Sequence, residues 1–485
     1  MHRKTPKPLP YWSWFGYAIV AAIFALALFD TLTMYNMSGA EWDFAAHWLS
    51  AKALITSSFY SALFSGHLAS SILYANAFYF EPLRAPLTAL LMVPFAALGN
   101  AAVPAYYAFA LILLVFSAFY AAKRFKVDFP LLEMLVVTPY AALILLMLNG
   151  TEIISMSLLL IFVSLLLEEK WSSGAILAIA ALAKYPNLIF LPMLFLLPKK
   201  MRPKAFLAFA LATLPWLLFN EIVFHNPIFS YLLSAGTYNS SSNGAYLHGN
   251  AIYQSLLFIL PDIVPAFLIA MVLVMFTYLA HRRGRKWSWH IKRLITGKGD
   301  RRSKTIVAFL SLGILGWGIT SVNGSINNLP RLGYLIYTGM ALLLAVAISE
   351  LAKNRSTAQS MRLSDPNLYY SCIVILAIAS VVTLATWYPY TGWKYYGSFN
   401  STLASMEGAL PSAGIGNCSF VSNEWVMLVF NGYKAHFPYY YNYSVQHYPI
   451  VIRTASDSSA VNFANVTKQV YYNGFFIAFP KNYTC

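Results

Sequence analysis

Acids are scarce in this chain. Its 485 residues carry only 17 Asp and Glu against 33 Lys and Arg, and charged residues of both signs make up 10%. A soluble globular domain holds about 25% charged residues, so the body of the chain is not of that class. Cysteine is scarcer still, with 3 residues, and no Cys/His spacing reads as a metal site. No solenoid-type period recurs. What is abundant is apolar: 59% of the residues are hydrophobic and the mean hydropathy is +0.59. Apolar runs near the ~20 residues needed to cross a bilayer recur along most of the length. They predict an all-α polytopic membrane protein. The net charge of +16 therefore points to basic cytosolic loops rather than to nucleic acid.

The apolar runs predict about 11 spans: 12–33, 103–122, 129–148, 152–167, 172–183, 187–198, 204–220, 258–280, 305–322, 331–350 and 367–387. With Arg3, Lys4 and Lys7 inside, most basic residues fall on one face: Lys123, Arg124 and Lys126, then Lys170, then Lys199 to Lys204, then the run from Arg282 to Lys304. This is the positive-inside bias. It puts the N-terminus in the cytoplasm and the C-terminus outside, in a multi-pass protein of the plasma membrane. The first span, long and aromatic with no small-residue cleavage site after it, reads as a retained helix rather than a signal peptide. The basic loop 281–304 reads as an anchor to anionic membrane lipids. The stretch 172–198 is broken at Lys184-Tyr185-Pro186. It is either two half-length helices forming a re-entrant pair or one tilted span.

A first outer loop, 34–102, opens with Glu41-Trp42-Asp43. Residues 44–64 read as an amphipathic interfacial helix. Residues 82–98 are apolar but broken by proline, and read as a half-buried helix too short to span. A second outer loop runs from Glu221 to about Ile252 and holds Tyr246-Leu-His-Gly-Asn250. From Tyr388 onward Gly, Ser, Asn and Tyr dominate. Strand-like runs occur at Glu424–Phe430, Val445–Arg453 and Lys468–Phe479, and Asn-x-Ser/Thr sequons at Asn400, Asn417, Asn442, Asn465 and Asn482. The chain thus divides into a membrane domain, 1–387, and a small extracytoplasmic β-rich domain, 388–485. Cys418 and Cys485 flank the latter; a disulfide between them would close a loop of about 68 residues and stabilise by roughly 4 kcal/mol.

In so acid-poor a chain, carboxylates near the membrane face are the first candidates for chemistry. Asp43 suits a general base that deprotonates a hydroxyl, because partial desolvation raises its basicity; its simpler reading is a helix N-cap. Glu81 is the second carboxylate, with a salt bridge to Arg84 as its simpler reading. Glu41 is a neighbour or a cap. Among cations, Lys184 lies inside an apolar run, Arg331 follows Asn327-Asn328-Leu-Pro at a span mouth, and His248 sits in the second outer loop. Each can meet the single phosphate of a lipid-phosphate leaving group without a metal. Lys184 and Arg331 alternatively snorkel, and His248 is otherwise simply solvated. Asn149-Gly150-Thr151-Glu152 opens a helix, as a substrate-binding element or as a turn and cap.

The order of these elements resembles the GT-C superfamily of integral membrane glycosyltransferases. The first-loop acid, the proline-broken helix, Asn149-Gly-Thr-Glu152, and Gly174 followed by Ala183-Lys184-Tyr185-Pro186 are similar to the polyprenyl-phosphate-mannose-dependent mannosyltransferases (family 87). Asn250 and Gln254-Ser255-Leu256 echo that family's Asn-Gln-Ser-Leu element. The resemblance covers roughly residues 10–350. It implies a GT-C fold, a polyprenyl-phosphate hexose donor, an inverting transfer with no metal and no cofactor, Asp43 as base, and Lys184 and His248 near the donor phosphate. The acceptor is a hydroxyl of a glycan, a lipid or a protein. The family's Ser-Trp-x-His-His signature is missing, with Asn323 to Arg331 in its place. The Trp-Trp-Asp-Tyr-Gly motif of oligosaccharyltransferases is also missing. A transporter or lipid flippase is the alternative; its mark would be broken helices paired between two related halves, and only 172–198 looks broken.

Overall fold

The computed structural model describes residues 42–69, 84–98, 102–127, 129–136, 151–240, 301–322, 333–353, 408–422, 466–472 and 475–480, with scattered positions in 17–29 and the short stretches 428–429, 433–436 and 449–453. The molecule is mostly helical: α1 Trp42–Leu54, α2 Ser57–Phe64, α3 Leu87–Ala96, α4 Ala102–Phe125, α5 Phe129–Val136, α6 Thr151–Leu167, α7 Ser173–Ala183, a 3₁₀ segment Tyr185–Leu196, α8 Arg202–Phe224, α9 Phe229–Ser240, α10 Arg301–Val322 and α11 Tyr334–Lys353. The expected spans 258–280 and 367–387 lie outside the described residues, as does most of 12–33.

Two of these helices, α4 and α8, are long and apolar enough to cross a membrane. Their 24 and 23 residues rise about 35 Å at 1.5 Å each, against a hydrocarbon core of about 30 Å. Their surfaces agree with that length. Leu207, Leu211, Leu214, Leu218 and Ile222 are all exposed along α8, and their 3–4 spacing puts them on one face. Ile112, Phe116 and Phe119 make a similar stripe on α4. Water would penalise such stripes, whereas acyl chains match them. Pro203 suits the first turn of α8, and His225, left-handed at φ 54°, ends the helix while its N–H donates to the Glu221 carbonyl at 3.0 Å.

One end of the bundle is basic. Glu168 pairs there with Arg124 and, at 2.9 Å, with Lys170, and it accepts from the Tyr120 hydroxyl at 3.1 Å. Desolvation works against its charge, but the hydrogen bonds from Lys170 and Tyr120 and the Arg124 charge outweigh it and hold the carboxyl below its ordinary range. Arg301 pairs with Glu169 and donates to the Leu166 and Leu196 carbonyls at 3.0 and 3.3 Å. Arg302 donates to the Phe125 carbonyl at 3.0 Å. The ends of α4, α6 and the 3₁₀ segment, and the start of α10, are thereby tied together.

That tie resolves the broken stretch. Leu166 and Leu196 share one donor, so the chain goes up α7 and comes back down the 3₁₀ segment. Residues 172–198 form a returning pair, not one tilted span. The 11 residues of α7 rise only about 16 Å. Lys184, at φ −157° and ψ 120°, is the extended elbow, and Pro186 sits in the first turn of the 3₁₀ segment, where its missing N–H costs nothing. Pro192 lies inside the 3₁₀ segment, where an α-helix would lose a hydrogen bond.

The first outer loop differs from expectation. Residues 44–64 form two helices, and α1 is buried from Phe44 through Ala51 on all its faces rather than lying amphipathically at an interface. Phe44, Trp48 and Leu49 belong to the main apolar core. The aromatic content that suggests an interface instead fills the space beside α4. By contrast α3, 10 residues with Pro94 inside it, matches the expected short helix.

Near the C-terminus five strands form one sheet: β1 Phe420–Ser422, β2 Ala435–His436, β3 Ile450–Arg453, β4 Val466–Tyr472 and β5 Phe475–Pro480, in the order β2-β1-β3-β5-β4. β1 runs parallel to β2 and β3, and β5 antiparallel to β3 and β4. The expected strand at Glu424–Phe430 is displaced: β1 comes earlier, and Leu428 and Val429 are helical. The run 468–479 is two strands, not one. Tyr472 pairs with Phe475, leaving between them Asn473-Gly474, a dipeptide that favours two-residue hairpins. Cys418 is disulfide-bonded, whereas Cys372 and Cys485 lie outside the described residues. Asn417 is exposed; the other four sequon asparagines lie outside the described residues.

Close backbone contacts set the helix spacing. A Cβ on Gly174 would fall inside the Ala205 carbonyl, so α7 touches α8 backbone to backbone. Gly174→Ala is expected to cost at least about 1–3 kcal/mol by overpacking, seen as a lower midpoint in thermal unfolding of the detergent-solubilised protein. Gly318→Ala on α10, where a Cβ meets nothing within 4 Å, should be neutral or stabilising by up to about 1 kcal/mol.

Candidate active site

The elbow between α7 and the 3₁₀ segment lies at the end of the bundle opposite the basic one, and a charge pair is buried there. The Lys184 ammonium pairs with the carboxylate of Glu152, whose surface is 0% exposed. Glu152 lies in the first turn of α6 and Lys184 caps the C-terminus of α7. Each charge therefore meets the helix end whose partial charge favours it. Thr151 opens α6 as the sequence anticipates.

Aromatic side chains from two further helices flank the pair. The Lys184 ammonium sits 5.5 Å from the centroid of the Tyr334 ring, at the start of α11, within cation–π range. The Tyr334 hydroxyl donates to Asn187 Oδ1 at 2.7 Å, and Asn187 Nδ2 donates to the Ala180 carbonyl at 2.7 Å. α11 is thus hydrogen-bonded to the 3₁₀ arm of the elbow, and Asn187 ties that arm to α7. On the other side the buried Tyr106 of α4 is within electrostatic reach of Glu152. Phe44 of α1 meets Tyr106 edge-on at 6.2 Å and stacks on Tyr107 at 5.4 Å. Among the described residues, Glu152 Oε2 and the Tyr106 hydroxyl have no hydrogen-bond partner.

A pocket of about 220 Å³ opens next to this cluster. Its polar lining comes from His47 and Ser50 of α1 and from Arg84, just before α3; Leu182 and Trp216 form part of its apolar wall. Trp216 Nε1 donates to the Tyr185 hydroxyl at 3.1 Å, so the pocket wall and the elbow are joined directly. Among the described residues, no His/Cys/Asp/Glu group is arranged to hold a metal ion.

Of the residues singled out from the sequence, the structure brings Glu152 and Lys184 together. Asp43 is the second residue of α1, next in sequence to Phe44. Glu41, Glu81, Asn149, His248, Asn250 and Arg331 lie outside the described residues. Sequence reasoning missed His47, one helical turn after Asp43. The spacing Asp43, His47, Ser50 follows one helix face and was available as a signal. Tyr334 and Asn187 had none, since tyrosine and asparagine in apolar helices are commonplace.

Comparison with protein-family models, curated proteins and solved structures found no match to the chain.

Removing one partner of a buried pair strands the other charge. Glu152→Gln and Lys184→Met should each cost about 3–5 kcal/mol. The double variant Glu152→Gln/Lys184→Met should cost less than the two single changes combined. Denaturant unfolding of the four proteins measures the coupling; additive losses would show that the pair is not an energetic unit.

Proposed function

We propose that the chain is a membrane glycosyltransferase that moves a hexose, mannose by resemblance, from a polyprenyl-phosphate carrier to a hydroxyl of a glycan, lipid or protein acceptor. The observation that carries this reading is a partly basic pocket shared by α1 and Leu182, two residues before the Lys184 elbow, at the end opposite the basic cluster. By the positive-inside bias the basic end is cytosolic, so this site faces outward. In this reading the chain makes about 11 spans, and the sheet beyond residue 388 is an extracytoplasmic domain, where a disulfide at Cys418 would persist.

Forming the new C1–O bond requires a base for the acceptor proton. Asp43 takes that role, with Glu81 as the second carboxylate of the same loop. Breaking the C1–phosphate bond places charge on the departing lipid phosphate, and fixed cations there lower the barrier. Lys184, Arg331 and His248 are assigned to it. One ammonium can serve a carboxylate and a phosphate together, since it carries three N–H donors. Glu152 then acts as a positioning residue for Lys184, and Glu41, Asn149 and Asn250 line the substrate path. A single in-line displacement inverts C1 and uses no metal or other cofactor.

Asp43→Asn should leave folded yield unchanged and lower sugar transfer from polyprenyl-phosphate mannose by about 10²–10⁴-fold. Transfer at the wild-type rate would remove Asp43 as the base. Solute uptake or lipid translocation in proteoliposomes, without any sugar transfer, would favour a transporter, a reading that draws on the same broken hairpin.

A further inference from the structure

The acids at the basic end of the bundle already have partners. Glu168 is shared by Arg124 and Lys170, and Glu169 is held by Arg301. No further Asp or Glu occurs from residue 170 to residue 220. Yet the turn joining the 3₁₀ segment to α8 brings four more cations to this end: Lys199, Lys200, Arg202 and Lys204. The turn starts beside Leu196, whose carbonyl accepts from Arg301. The three lysines are exposed, and none of the four cations makes an ion pair among the described residues. Arg202 is held by neutral groups. Its Nε donates to the Leu197 carbonyl at 2.9 Å, and its guanidinium stands 6.0 Å from the Phe195 ring centroid. Neither contact cancels its charge.

These cations stand at the head of an apolar track. Lys204, Leu207, Leu211, Leu214 and Leu218 follow one another at 3–4 spacing, so they share one face of α8, and all five are exposed. The far side of the helix holds the buried Ala205, Asn220 and Val223. From Leu207 to Leu218 the track rises about 17 Å at 1.5 Å per residue. That is close to one leaflet's share of a hydrocarbon core of about 30 Å. Trp171, 49% exposed between α6 and α7 at the same end, suits headgroup depth, where tryptophan collects. A cationic cluster above an apolar track one leaflet deep matches an amphiphile with an anionic head.

We propose that Lys199, Lys200, Arg202 and Lys204 bind the phosphate of an anionic phospholipid in the leaflet at the basic end, with one acyl chain lying along Leu207, Leu211, Leu214 and Leu218. The site requires only that α8 crosses the bilayer, so it is independent of sugar transfer. Basic residues at a membrane surface attract anionic lipid, and here the neighbouring carboxylates do not compete for them. The lipid fixes the depth of α8. Because α8 meets α7 backbone to backbone at Gly174, it also sets the level of the Lys184 elbow in the membrane.

The test uses the full chain in phosphatidylcholine nanodiscs containing a small fraction of phosphatidylglycerol with a diazirine in one acyl chain. Crosslinks are mapped by peptide mass spectrometry. Labelling is expected between Leu207 and Leu218. Phosphatidylcholine carrying the same diazirine should label that stretch at least about tenfold less, since each basic residue near the surface contributes roughly fivefold. Lys199→Gln/Lys200→Gln/Lys204→Gln changes exposed side chains only, and should bring phosphatidylglycerol down to the phosphatidylcholine level in a protein that still elutes as a folded species. Arg282→Gln/Arg283→Gln/Arg285→Gln removes as much charge from the basic loop, and should leave labelling of α8 unchanged. Equal labelling by the two lipids, wild-type labelling in the lysine variant, or an equal loss in the loop variant would overturn the site. Millimolar glycerol phosphate should not compete; loss of labelling in its presence would make this a free-phosphate site and overturn the lipid assignment.

Discussion

A single buried ion pair organises the end of this molecule opposite its basic cluster. Taking Glu152 and Lys184 out of water costs several kcal/mol per ion, and only a fixed partner recovers that cost. The pairing therefore dictates where two chain segments stand. The N-terminus of α6 and the C-terminus of α7 must meet, and the elbow at Lys184 must keep its extended backbone. Tyr334 and Asn187 then join α11 to the elbow, while Tyr106 and Phe44 bring in α4 and α1. Remote parts of the sequence converge because one lysine cannot be left without its carboxylate.

The opposite end is fixed by different physics. Arg301 and Arg302 reach backbone carbonyls on three other segments, and Glu168 gathers Arg124, Lys170 and Tyr120. These groups are partly exposed, so each contact is worth little alone. Their effect is geometric: they hold the helix ends in register. Between the two ends, Gly174 against Ala205 and Gly313, whose Cβ would stand 2.5 Å from the Leu335 carbonyl, bring backbones into contact. Small residues are the usual means of close packing where lipid supplies no hydrophobic drive between helices.

Much of the helical frame was legible in the sequence, because apolar runs and basic clusters are local signals. α4, α6, α7 and α8 begin and end within a few residues of the apolar runs, and the break at Lys184-Tyr185-Pro186 marks the elbow. Lys184 and Glu152 each stood out as charges in apolar surroundings. Their pairing was not legible, because 32 residues and a helical hairpin separate them and no periodicity connects them. The burial of α1 was also hidden. Its aromatic residues suit an interface and a core equally, and only the position of α4 decides between them. Within 468–479 the turn is marked only by Asn473-Gly474, inside an otherwise continuous apolar and aromatic run that reads as one strand.

Amide hydrogen–deuterium exchange of Glu152→Gln against the wild-type protein in nanodiscs tests the central claim most directly. If the pair organises this end, protection falls at residues 184–187 and also along α1, at 42–54, while the basic end around Arg124 and Arg301 stays as it was. Unchanged exchange at the elbow and α1 would contradict the account.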